Sequence, residues 1–504
     1  MEVARERRVR SGVAGRGKLK ASDGQRQAGF QDASWTLSQV LLATGGRFVA
    51  GDTVGHFRRI STDSRAVEPG DLFVALVGDR FDGHAFVAQA VQRGATGVLV
   101  SERPVEPLAV PVVQVSDTLR GLGDLAAYHR CRLTDLRVIG ITGSCGKTTV
   151  KEMTAAIFEQ EYSVLKTKGN LNNLIGLPLS LLPADDRHEY AVLEMGMNQP
   201  GEIARLTEIA DPDIACITNV REVHLEGLGD IGGVARAKGE LFAGVKSWGC
   251  LAVNMDDSRV RALARRCPQR KITFGRDPRA QVRGIQLRNL GERGMAFTLV
   301  IGKHSARVRI QGLGAHNVTN ALAAAAMAHA AGIGFPQIVS GLALFKPTDK
   351  RLQVQELLGG VRLINDAYNA NPTSMLAALE TLRRMDRAHR KIAILGDMLE
   401  LGVKSAAAHR QVGEGAARQG MDYLLAVGNF AGEMVEAARK AGMATDRAIH
   451  FDNKNAIARW LRQASQAGRI GAGDWVLLKG SRGMRMETIV QDLGAVREQT
   501  AIKA

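Results

Sequence analysis

The stretch that decides the fold is Leu136-Arg-Val-Ile-Gly-Ile-Thr-Gly-Ser-Cys-Gly-Lys-Thr-Thr149. It begins as an apolar run typical of a buried strand, and the residues that follow it favour a helix. Gly143 and Gly146 let backbone N–H groups approach phosphate oxygens at the positive end of that helix. Lys147 would reach the outer phosphates, and the Thr148 hydroxyl would ligate Mg²⁺. The pattern predicts a nucleotide-binding loop formed by Gly143, Ser144, Cys145, Gly146, Lys147, Thr148 and Thr149.

Short apolar runs alternate with helical stretches on both sides of this loop, which predicts mostly parallel sheets covered by helices on both faces. Ser116 and Asp117 are positioned to cap a helix. The strand-like runs are Leu72–Leu76, Gly97–Val100, Leu136–Ile141, Tyr190–Leu193, Ile214–Thr218, Gly249–Val253, Arg362–Asn365, Lys391–Leu395, Tyr423–Val427 and Trp475–Leu478.

The order of these runs predicts an α/β protein of three domains behind a basic tail. We place the disordered tail at 1–33, a small α/β domain at 34–115, a central domain at 116–348 and a second large α/β domain at 349–504. Lys346-Pro-Thr-Asp-Lys350 is typical of a hinge between the two large domains.

Composition excludes several classes of protein. The 504 residues are 45% hydrophobic and 23% charged, as in folded globular chains, and no apolar stretch approaches the ~18 residues of a membrane span. The five cysteines form no C-x-x-C pair, which predicts reduced thiols and a cytoplasmic location. The net charge is +16. The first 27 residues contain eight basic and three acidic side chains and so contribute +5.

Several further segments, in order along the chain, resemble the Mur ligases, a family of ATP-dependent amide-bond-forming enzymes of cell-wall synthesis. The nucleotide loop here is a shortened T-G-x-x-G-K-T form, as in that family. The other resembling segments are Ile60–Arg65, Phe81–His84, Leu193–Ile203, Cys216–His224, Ala235–Phe242 and Gly314–Ala321. The resemblance implies a UDP-binding N-terminal domain, a central P-loop ATPase with a mostly parallel sheet, and a Rossmann-like C-terminal domain.

The resemblance also implies the catalytic and metal-binding residues. Lys147, Glu194, His224 and Lys238 would be catalytic, and two Mg²⁺ ions would be held by Thr148, Glu194, His224 and Lys238. In the family, the lysine that matches Lys238 is carbamylated by CO₂, which turns a cation into a carboxylate. Without the resemblance, the less favoured alternative for Glu194 is a helix cap. A lone histidine such as His224 is more often structural, and a lone helix lysine such as Lys238 is usually a solvated charge.

Nucleotide and substrate contacts follow from the same resemblance. ATP contacts beyond the loop would be Asn317, Arg351 and Asp366. Substrate contacts would be Ser64, Thr167, Asn170, Asn172, Asn173, Tyr368, Asn369 and Asn371. Lys350 departs from the family pattern, because glycine is expected before Arg351, and this puts the shape of that loop in doubt.

The C-terminal segments Asp366–Met375, Gly396–Gly402 and Lys479–Arg482 resemble the branch of the family that adds D-alanyl-D-alanine to UDP-N-acetylmuramoyl-tripeptide through an acyl phosphate. The resemblance predicts these two substrates, a monomer, and no nucleic acid or membrane span. The alternatives are a ligase that adds another amino acid, a non-catalytic sugar-nucleotide sensor, and a P-loop nucleic-acid-binding protein. Against the last we set the concentration of charge in the tail and an aromatic content of only 5%.

Overall fold

The computed structural model describes residues 35–78, 81–104, 106–223, 225–357, 359–385 and 389–493. The predicted tail and His224 lie outside these residues. Within them, no helix is both long and apolar enough to cross a bilayer.

The N-terminal part is a small sheet covered by helices. Five strands are arranged in the order β2-β7-β6-β5-β4, all parallel except β2, and β1 pairs with β3 beside them. The strands are β1 Trp35–Thr36, β2 Arg47–Ala50, β3 His56–Phe57, β4 Arg59–Ser61, β5 Asp71–Val74, β6 Gly97–Val100 and β7 Val112–Gln114. The helices are α1 Leu37–Thr44, α2 Val87–Gln92 and α3 Thr118–Arg132, with a 3₁₀ turn at Gly83–Phe86.

Helix α3 connects this part to the next. Its N-terminus is capped by Asp117, whose carboxylate accepts from the backbone N–H of Leu119 at 2.8 Å, as the sequence predicts. Leu122 and Leu125 are fully buried in the N-terminal core, while Ala126 belongs to the core of the central sheet. The helix therefore stabilises both sheets.

The central part is a nine-stranded sheet in the order β16-β15-β14-β13-β12-β11-β8-β10-β9. Its strands are β8 Arg137–Thr142, β9 Val164–Lys166, β10 Tyr190–Glu194, β11 Ile214–Ile217, β12 Cys250–Asn254, β13 Arg270–Gly275, β14 Val282–Asn289, β15 Met295–Ile301 and β16 His304–Ile310. Neighbours from β9 to β14 are parallel, and only β14–β15 and β15–β16 are antiparallel. The predicted parallel core is confirmed, and the antiparallel extension is new.

Helices cover both faces of the central sheet. They are α4 Lys147–Phe158, α5 Gly176–Leu181, α6 Glu202–Ala210, α7 Leu225–Leu228, α8 Ile231–Ala243, α9 Ser258–Arg265, α10 Ala315–Ala330 and α11 Phe335–Leu344. The apolar run Ala321–Ala328 lies in α10 with each residue at most 1% exposed. It packs against α4 and the strands, as expected for a core helix.

The C-terminal part is a six-stranded sheet in the order β17-β18-β22-β19-β20-β21, in which only the edge strand β17 is antiparallel. The strands are β17 Gln353–Glu356, β18 Arg362–Asp366, β19 Lys391–Gly396, β20 Tyr423–Val427, β21 Ala448–Phe451 and β22 Trp475–Lys479. The helices are α12 Pro372–Arg383, α13 Ser405–Arg418, α14 Ala431–Lys440, α15 Lys454–Gln466 and α16 Thr488–Leu493. The predicted class, an α/β protein of three domains with mostly parallel sheets, is confirmed.

Candidate active site

The nucleotide loop lies between β8 and α4, and its backbone needs glycine at two positions. Gly143 has φ 149° and Gly146 has φ 85°. A Cβ atom on Gly143 would lie 1.9 Å from the Thr218 hydroxyl, and one on Gly146 would lie 2.5 Å from Oδ1 of Asn320. Other residues would collide here, so the loop can bring its backbone N–H groups close to a bound anion.

The segment that precedes residue 224 holds this loop in place. The Asn219 side-chain oxygen accepts from the Cys145 N–H at 3.0 Å, and Ser144 Oγ donates to the Arg221 carbonyl at 3.1 Å. Thr218 Oγ1 donates to the Cys145 carbonyl at 2.6 Å. The nucleotide loop and the segment Cys216–His224, both predicted to belong to the site, are therefore in direct contact. His224 itself lies outside the described residues.

Glu194 ends β10 at the carboxyl edge of the sheet, where open α/β sheets place their ligands. Its carboxylate is 2% exposed and accepts from Thr148 Oγ1 at 2.7 Å and from Asn172 Nδ2 at 2.8 Å. Two predicted metal ligands therefore lie side by side. Thr167 is buried behind them, and its hydroxyl accepts from the Glu194 N–H at 2.9 Å, so Thr167 positions the carboxylate.

The donor set at this edge suits a hard divalent cation. Carboxylate and hydroxyl oxygens are the ligands that Mg²⁺ prefers. The described residues contain no group of three or more His, Cys, Asp or Glu side chains able to hold a metal. Among the described residues, a cation at Glu194 would therefore take its other protein ligands from hydroxyls or a modified side chain, with water and phosphate oxygens completing the set.

Lys238 is buried in the middle of α8, at 2% exposure. Burial, and after it the positive charge of Lys147, holds the pKa of the Lys238 amine well below its usual value. Lys238 is therefore richer in neutral amine than a solvated lysine, which excludes the interpretation as a solvated charge.

Glu194 and most of the nucleotide loop border a cavity of about 710 Å³ between the central and C-terminal sheets. Most predicted site residues line it: Ser144, Cys145, Gly146, Lys147, Thr148, Thr149, Asn170, Asn172, Asn173, Glu194, Asn317, Arg351, Asp366, Tyr368, Asn369 and Asn371. Gly143, Thr167, Lys238 and Ser64 do not line it. Ser64 lies in the N-terminal sheet region, where its hydroxyl donates to Gln89 at 3.0 Å.

On the C-terminal wall, the Arg351 guanidinium lies 3.9 Å from the centre of the Tyr368 ring, within range of a cation–π contact. Asp366 accepts from the buried Lys479 ammonium at 2.6 Å, and Lys479 also donates to the Asn369 carbonyl at 2.8 Å. Lys479 was not among the predicted site residues. It ends β22 beside the end of β18, so a search for charged residues at strand ends would have found it.

The doubt about Lys350 is resolved by its backbone. Lys350 has φ 59°, the left-handed conformation that favours the expected glycine. Its ammonium pairs with Glu487 at 3.0 Å, and its carbonyl accepts from the Tyr368 N–H at 3.2 Å. The loop keeps the glycine-type shape with a lysine in place, and Arg351 still lines the cavity.

Two asparagines that line the cavity also shape the chain. Asn371 caps α12, with Oδ1 accepting from the Ser374 N–H at 2.9 Å, and its Nδ2 donates to Cys145 Sγ at 3.3 Å. Asn173 Oδ1 accepts from the Gly176 N–H at 2.8 Å at the start of α5. The contact between Asn371 and Cys145 therefore crosses from the C-terminal part to the nucleotide loop.

Further cavity residues escaped sequence analysis, although several lie within segments that it quoted. They include His316, Asn320, Arg221, Glu400 and Arg482. Asn320 donates to Asn317 at 2.8 Å beside Gly146, so the N-terminal turns of α10 form the wall next to the loop.

Comparison with known proteins agrees with this geometry. The chain matches the models of the Mur ligase family catalytic domain over residues 56–130, the Mur ligase middle domain over 141–328 and the Mur ligase glutamate ligase domain over 350–482. It is 38% identical to the UDP-N-acetylmuramoyl-tripeptide--D-alanyl-D-alanine ligase of Escherichia coli (strain K12), over 91% of this chain and 98% of that one.

Solved structures give the same result. A crystal structure of MurF from Acinetobacter baumannii superposes with a TM-score of 0.84 at 35% identity, covering 91% of this chain and 98% of the other. MurF ligase from Thermotoga maritima in complex with ADP has a TM-score of 0.77 at 29% identity, covering 86% and 96% of the two chains. Because likeness in sequence, domain order and fold extends over nearly the whole of these relatives, the chain belongs to the Mur ligase family.

Proposed function

We propose that the protein joins D-alanyl-D-alanine to UDP-N-acetylmuramoyl-tripeptide, with cleavage of ATP to ADP and phosphate. The observation that carries the proposal is the match to a ligase of that name over 98% of its length, including the C-terminal part that forms one wall of the cavity. A ligase for a different amine remains the alternative that the experiment below addresses.

ATP would lie on the nucleotide loop, with its phosphates at the N-terminus of α4. Lys147 begins that helix, and its ammonium lies 2.9 Å from the Gly143 carbonyl, directly over the loop. Asn317 and Arg351 line the same cavity from two sides. The ADP-bound relative from Thermotoga maritima supports a nucleotide site in this fold.

The reaction would proceed in two steps. The terminal carboxylate of the tripeptide attacks the γ-phosphorus of ATP, which releases ADP and gives an acyl phosphate. The dipeptide amine then attacks the acyl carbonyl, loses a proton and displaces phosphate. Lys147 would stabilise the charge on the transferring phosphoryl group, while the cavity walls orient the reactants and exclude water.

Mg²⁺ would be held by Thr148 and Glu194, and a second Mg²⁺ by Lys238 as its carbamate together with His224. The bound ions would neutralise phosphate charge. The low pKa of the buried Lys238 amine supports the carbamate, because only a neutral amine adds to CO₂. The Asn172 amide holds Glu194 from the other side at 2.8 Å, so its carboxylate is oriented before any ligand binds.

The remaining assignments extend the proposal to the whole chain. We assign UDP to the N-terminal domain at 34–115 with Ser64 as a contact, ATP to 116–348, and the dipeptide to 349–504. Asn170 would meet the tripeptide, because it lines the cavity beside Asn172. The five free cysteines support a cytoplasmic location, and we expect a monomer.

The test is phosphate release from ATP in the presence of UDP-N-acetylmuramoyl-tripeptide, with and without D-alanyl-D-alanine. We expect release to require the dipeptide, with UDP-N-acetylmuramoyl-pentapeptide as the product by mass. Release that responds to a single amino acid and not to the dipeptide would contradict the proposal and favour another branch of the family.

A further inference from the structure

The positive charge of the chain is concentrated in one segment of the central part. Residues 259–309 contain fourteen lysines and arginines against two acidic residues, a net +12 of the +16 carried by the whole chain. The tail, where we expected the charge to be concentrated, holds only +5. The segment consists of α9, β13 and the three strands of the antiparallel extension, β14, β15 and β16.

The strand register gathers four of these arginines on one face. In antiparallel strands, residues directly opposite each other project to the same side. Arg288 and Arg309 lie opposite Ala296, and Arg307 lies opposite Thr298, two positions further along β15. Arg283 is on the same side, opposite Val300. We call Arg283, Arg288, Arg307 and Arg309 the arginine face.

The other side of these strands is the protein core. Phe297 and Leu299 of β15 are fully buried there, against α10. On the arginine face, by contrast, Arg288, Arg307 and Arg309 are exposed and Arg283 is half-buried. The arginine face is therefore the outer surface of the extension.

The charges of the arginine face are not balanced by carboxylates. Within the described residues, none of its four arginines forms an ion pair. In the part of the chain that the structure describes, three of them donate only to backbone carbonyls: Arg283 to Pro278 at 3.2 Å, Arg307 to Gln286 at 2.9 Å and Arg309 to Arg293 at 3.4 Å.

The two acidic residues of the segment are already engaged elsewhere. Asp277 pairs with Arg279 at 2.6 Å, and Glu292 pairs with Arg362 of β18. The excess positive charge of the segment is therefore available to an external anion.

Helix α9 extends the basic surface. Val260 and Ala264 of this helix pack in the core cluster on one side of the central sheet. Phe297 belongs to the core cluster on the other side. The helix therefore lies on the same side of the sheet as the arginine face. Its last residue, Arg265, and the C-cap residue Arg266 are exposed and form no ion pair within the described residues.

We propose that the arginine face docks the protein on a lipid bilayer that contains anionic phospholipids. A three-stranded sheet offers a broad surface, and a bilayer presents many phosphates over a comparable area. Ile285, which is 41% exposed among the arginines, suits the boundary between headgroups and acyl chains. Each basic residue near such a membrane adds about 1 kcal/mol, so four or more give reversible, salt-sensitive binding.

A nucleic acid fits this surface less well. Single strands are bound by stacking on aromatic side chains, and the outward positions of the three strands hold none. Base-specific duplex recognition commonly inserts a helix or a ribbon into a groove, whereas these arginines are distributed across a sheet face. Docking on lipid is independent of which amine the enzyme adds.

The test is co-sedimentation of the full chain with vesicles of phosphatidylcholine, with and without phosphatidylglycerol. The variant Arg288→Gln/Arg307→Gln/Arg309→Gln should lower binding to the anionic vesicles about tenfold or more. The matched control is Arg103→Gln/Arg447→Gln/Arg459→Gln, which removes the same charge from three exposed arginines elsewhere and should bind as the unchanged protein does. Ligase activity without vesicles and the melting temperature should be unchanged in both, because none of the six lines the cavity.

Several outcomes would overturn the proposal. Unchanged binding of the first variant would assign membrane contact to another surface, such as the basic tail. If both variants lose vesicle binding equally, binding depends on net charge alone. If the protein binds equally well to vesicles without phosphatidylglycerol, the binding is not electrostatic. Binding to duplex DNA or RNA that requires the arginine face, together with no binding to vesicles, would identify a nucleic acid as the partner instead of lipid. If the triple variant does not fold, Arg288→Gln alone and a salt titration of the unchanged protein serve instead, with binding lost near 1 M salt expected.

Discussion

Lys147 is the residue whose role follows most directly from its position. It is the first residue of α4, and its ammonium lies over the loop at 2.9 Å from the Gly143 carbonyl. Lys147→Ala should lower the rate of ATP turnover by about a hundredfold or more, because it removes the charge that stabilises the transferring phosphoryl group. Binding of UDP-tripeptide, measured by calorimetry, should change little.

The control for this prediction is Lys303→Ala, which removes an exposed lysine from the tight turn between β15 and β16. It should retain full turnover. Comparable loss of nucleotide and UDP-tripeptide binding in a folded Lys147→Ala protein would contradict the assignment of the two ligands to different domains.

Lys238 gives a prediction about pH and CO₂. The pKa of the Lys238 amine is lower in the folded protein than in the unfolded chain. At a pH between these two pKa values, the unfolded chain binds more protons than the folded protein. The free energy of unfolding of the unmodified protein therefore rises with pH in that range. The neutral amine, and with it the carbamate, is lost as pH falls through the folded pKa. Activity should therefore fall at acidic pH and increase with dissolved CO₂ in steady-state assays.

Substitution tests the same residue. Lys238→Ala should be nearly inactive and partly rescued by small carboxylates, whereas Arg236→Ala, an exposed neighbour on α8, should be fully active. Full activity of Lys238→Ala would exclude an essential carbamate.

Not every site residue could be predicted from the sequence. Glu194 could, because it directly follows an apolar strand and such ends meet at one edge of a parallel sheet. Lys479 could not be paired with Asp366 in advance, because they meet only through the register of β18 and β22, which are more than a hundred residues apart along the chain. Thr167 was predicted to contact substrate, and its buried position shows that polarity alone does not indicate exposure to a cavity.

At the scale of elements, the loop between α11 and β17 depends on a left-handed lysine. Lys350→Gly should relieve roughly 1 kcal/mol of backbone strain. It also removes the partly exposed ion pair with Glu487, which contributes a similar or smaller free energy. Lys350→Ala loses the ion pair and keeps the strain. The glycine variant should therefore be more stable than the alanine variant by about 1 kcal/mol in urea unfolding.

Both variants should retain turnover if the loop keeps its shape, because Arg351 lines the cavity from the next position. An alanine variant as stable as the glycine variant would show that the left-handed conformation does not persist in solution.

The antiparallel extension shows where reading elements from the sequence fell short. The alternating strands β14, β15 and β16 were not among the predicted runs, although β15 alternates between the core and the outer face from Phe297 to Val300. Parallel strands that are apolar on both faces, such as β8, β10 and β11, were found, whereas the more exposed parallel strands β9, β13 and β21 were missed as well. The extension has one solvated face, and its many arginines obscure the alternation.

At the scale of the whole molecule, the family resemblance predicted the order of domains but not how they meet. Asn371 donates to Cys145 across the cavity, and Lys404 pairs with Glu222 at 3.0 Å between the C-terminal and central parts. Leu313, which precedes α10, packs in the core of the C-terminal sheet. Such contacts depend on the relative placement of two folded units, which no local pattern encodes.

Which amine the protein accepts depends on how the central and C-terminal parts contact each other. We expect the protein to accept D-alanyl-D-alanine and reject single amino acids. The cavity wall that contains Asn369 and Asn371 offers amide groups for an additional peptide group. A single amino acid would leave such groups unpaired at about 1–3 kcal/mol each, so two would lower kcat/KM on the order of a hundredfold. The measurement is kcat/KM for the dipeptide against D-Ala, L-Ala, L-Lys, D-Glu and meso-diaminopimelate, each with its own UDP-muramoyl acceptor.

Asn371 allows the contribution of one amide to be isolated. Its Oδ1 caps α12, whereas among the described residues its Nδ2 donates only to the weak acceptor Cys145 Sγ and can turn to a substrate carbonyl. Asn371→Ser keeps a capping oxygen and removes the amide donor, so stability should change by less than about 1 kcal/mol. Because a lost hydrogen bond is worth about 1–3 kcal/mol when its partner is buried, kcat/KM for the dipeptide should fall about tenfold, and the KM for ATP should stay the same. An equal loss for ATP would instead place Asn371 at the nucleotide, and a single amino acid joined as efficiently as the dipeptide would assign the protein to another branch of the family.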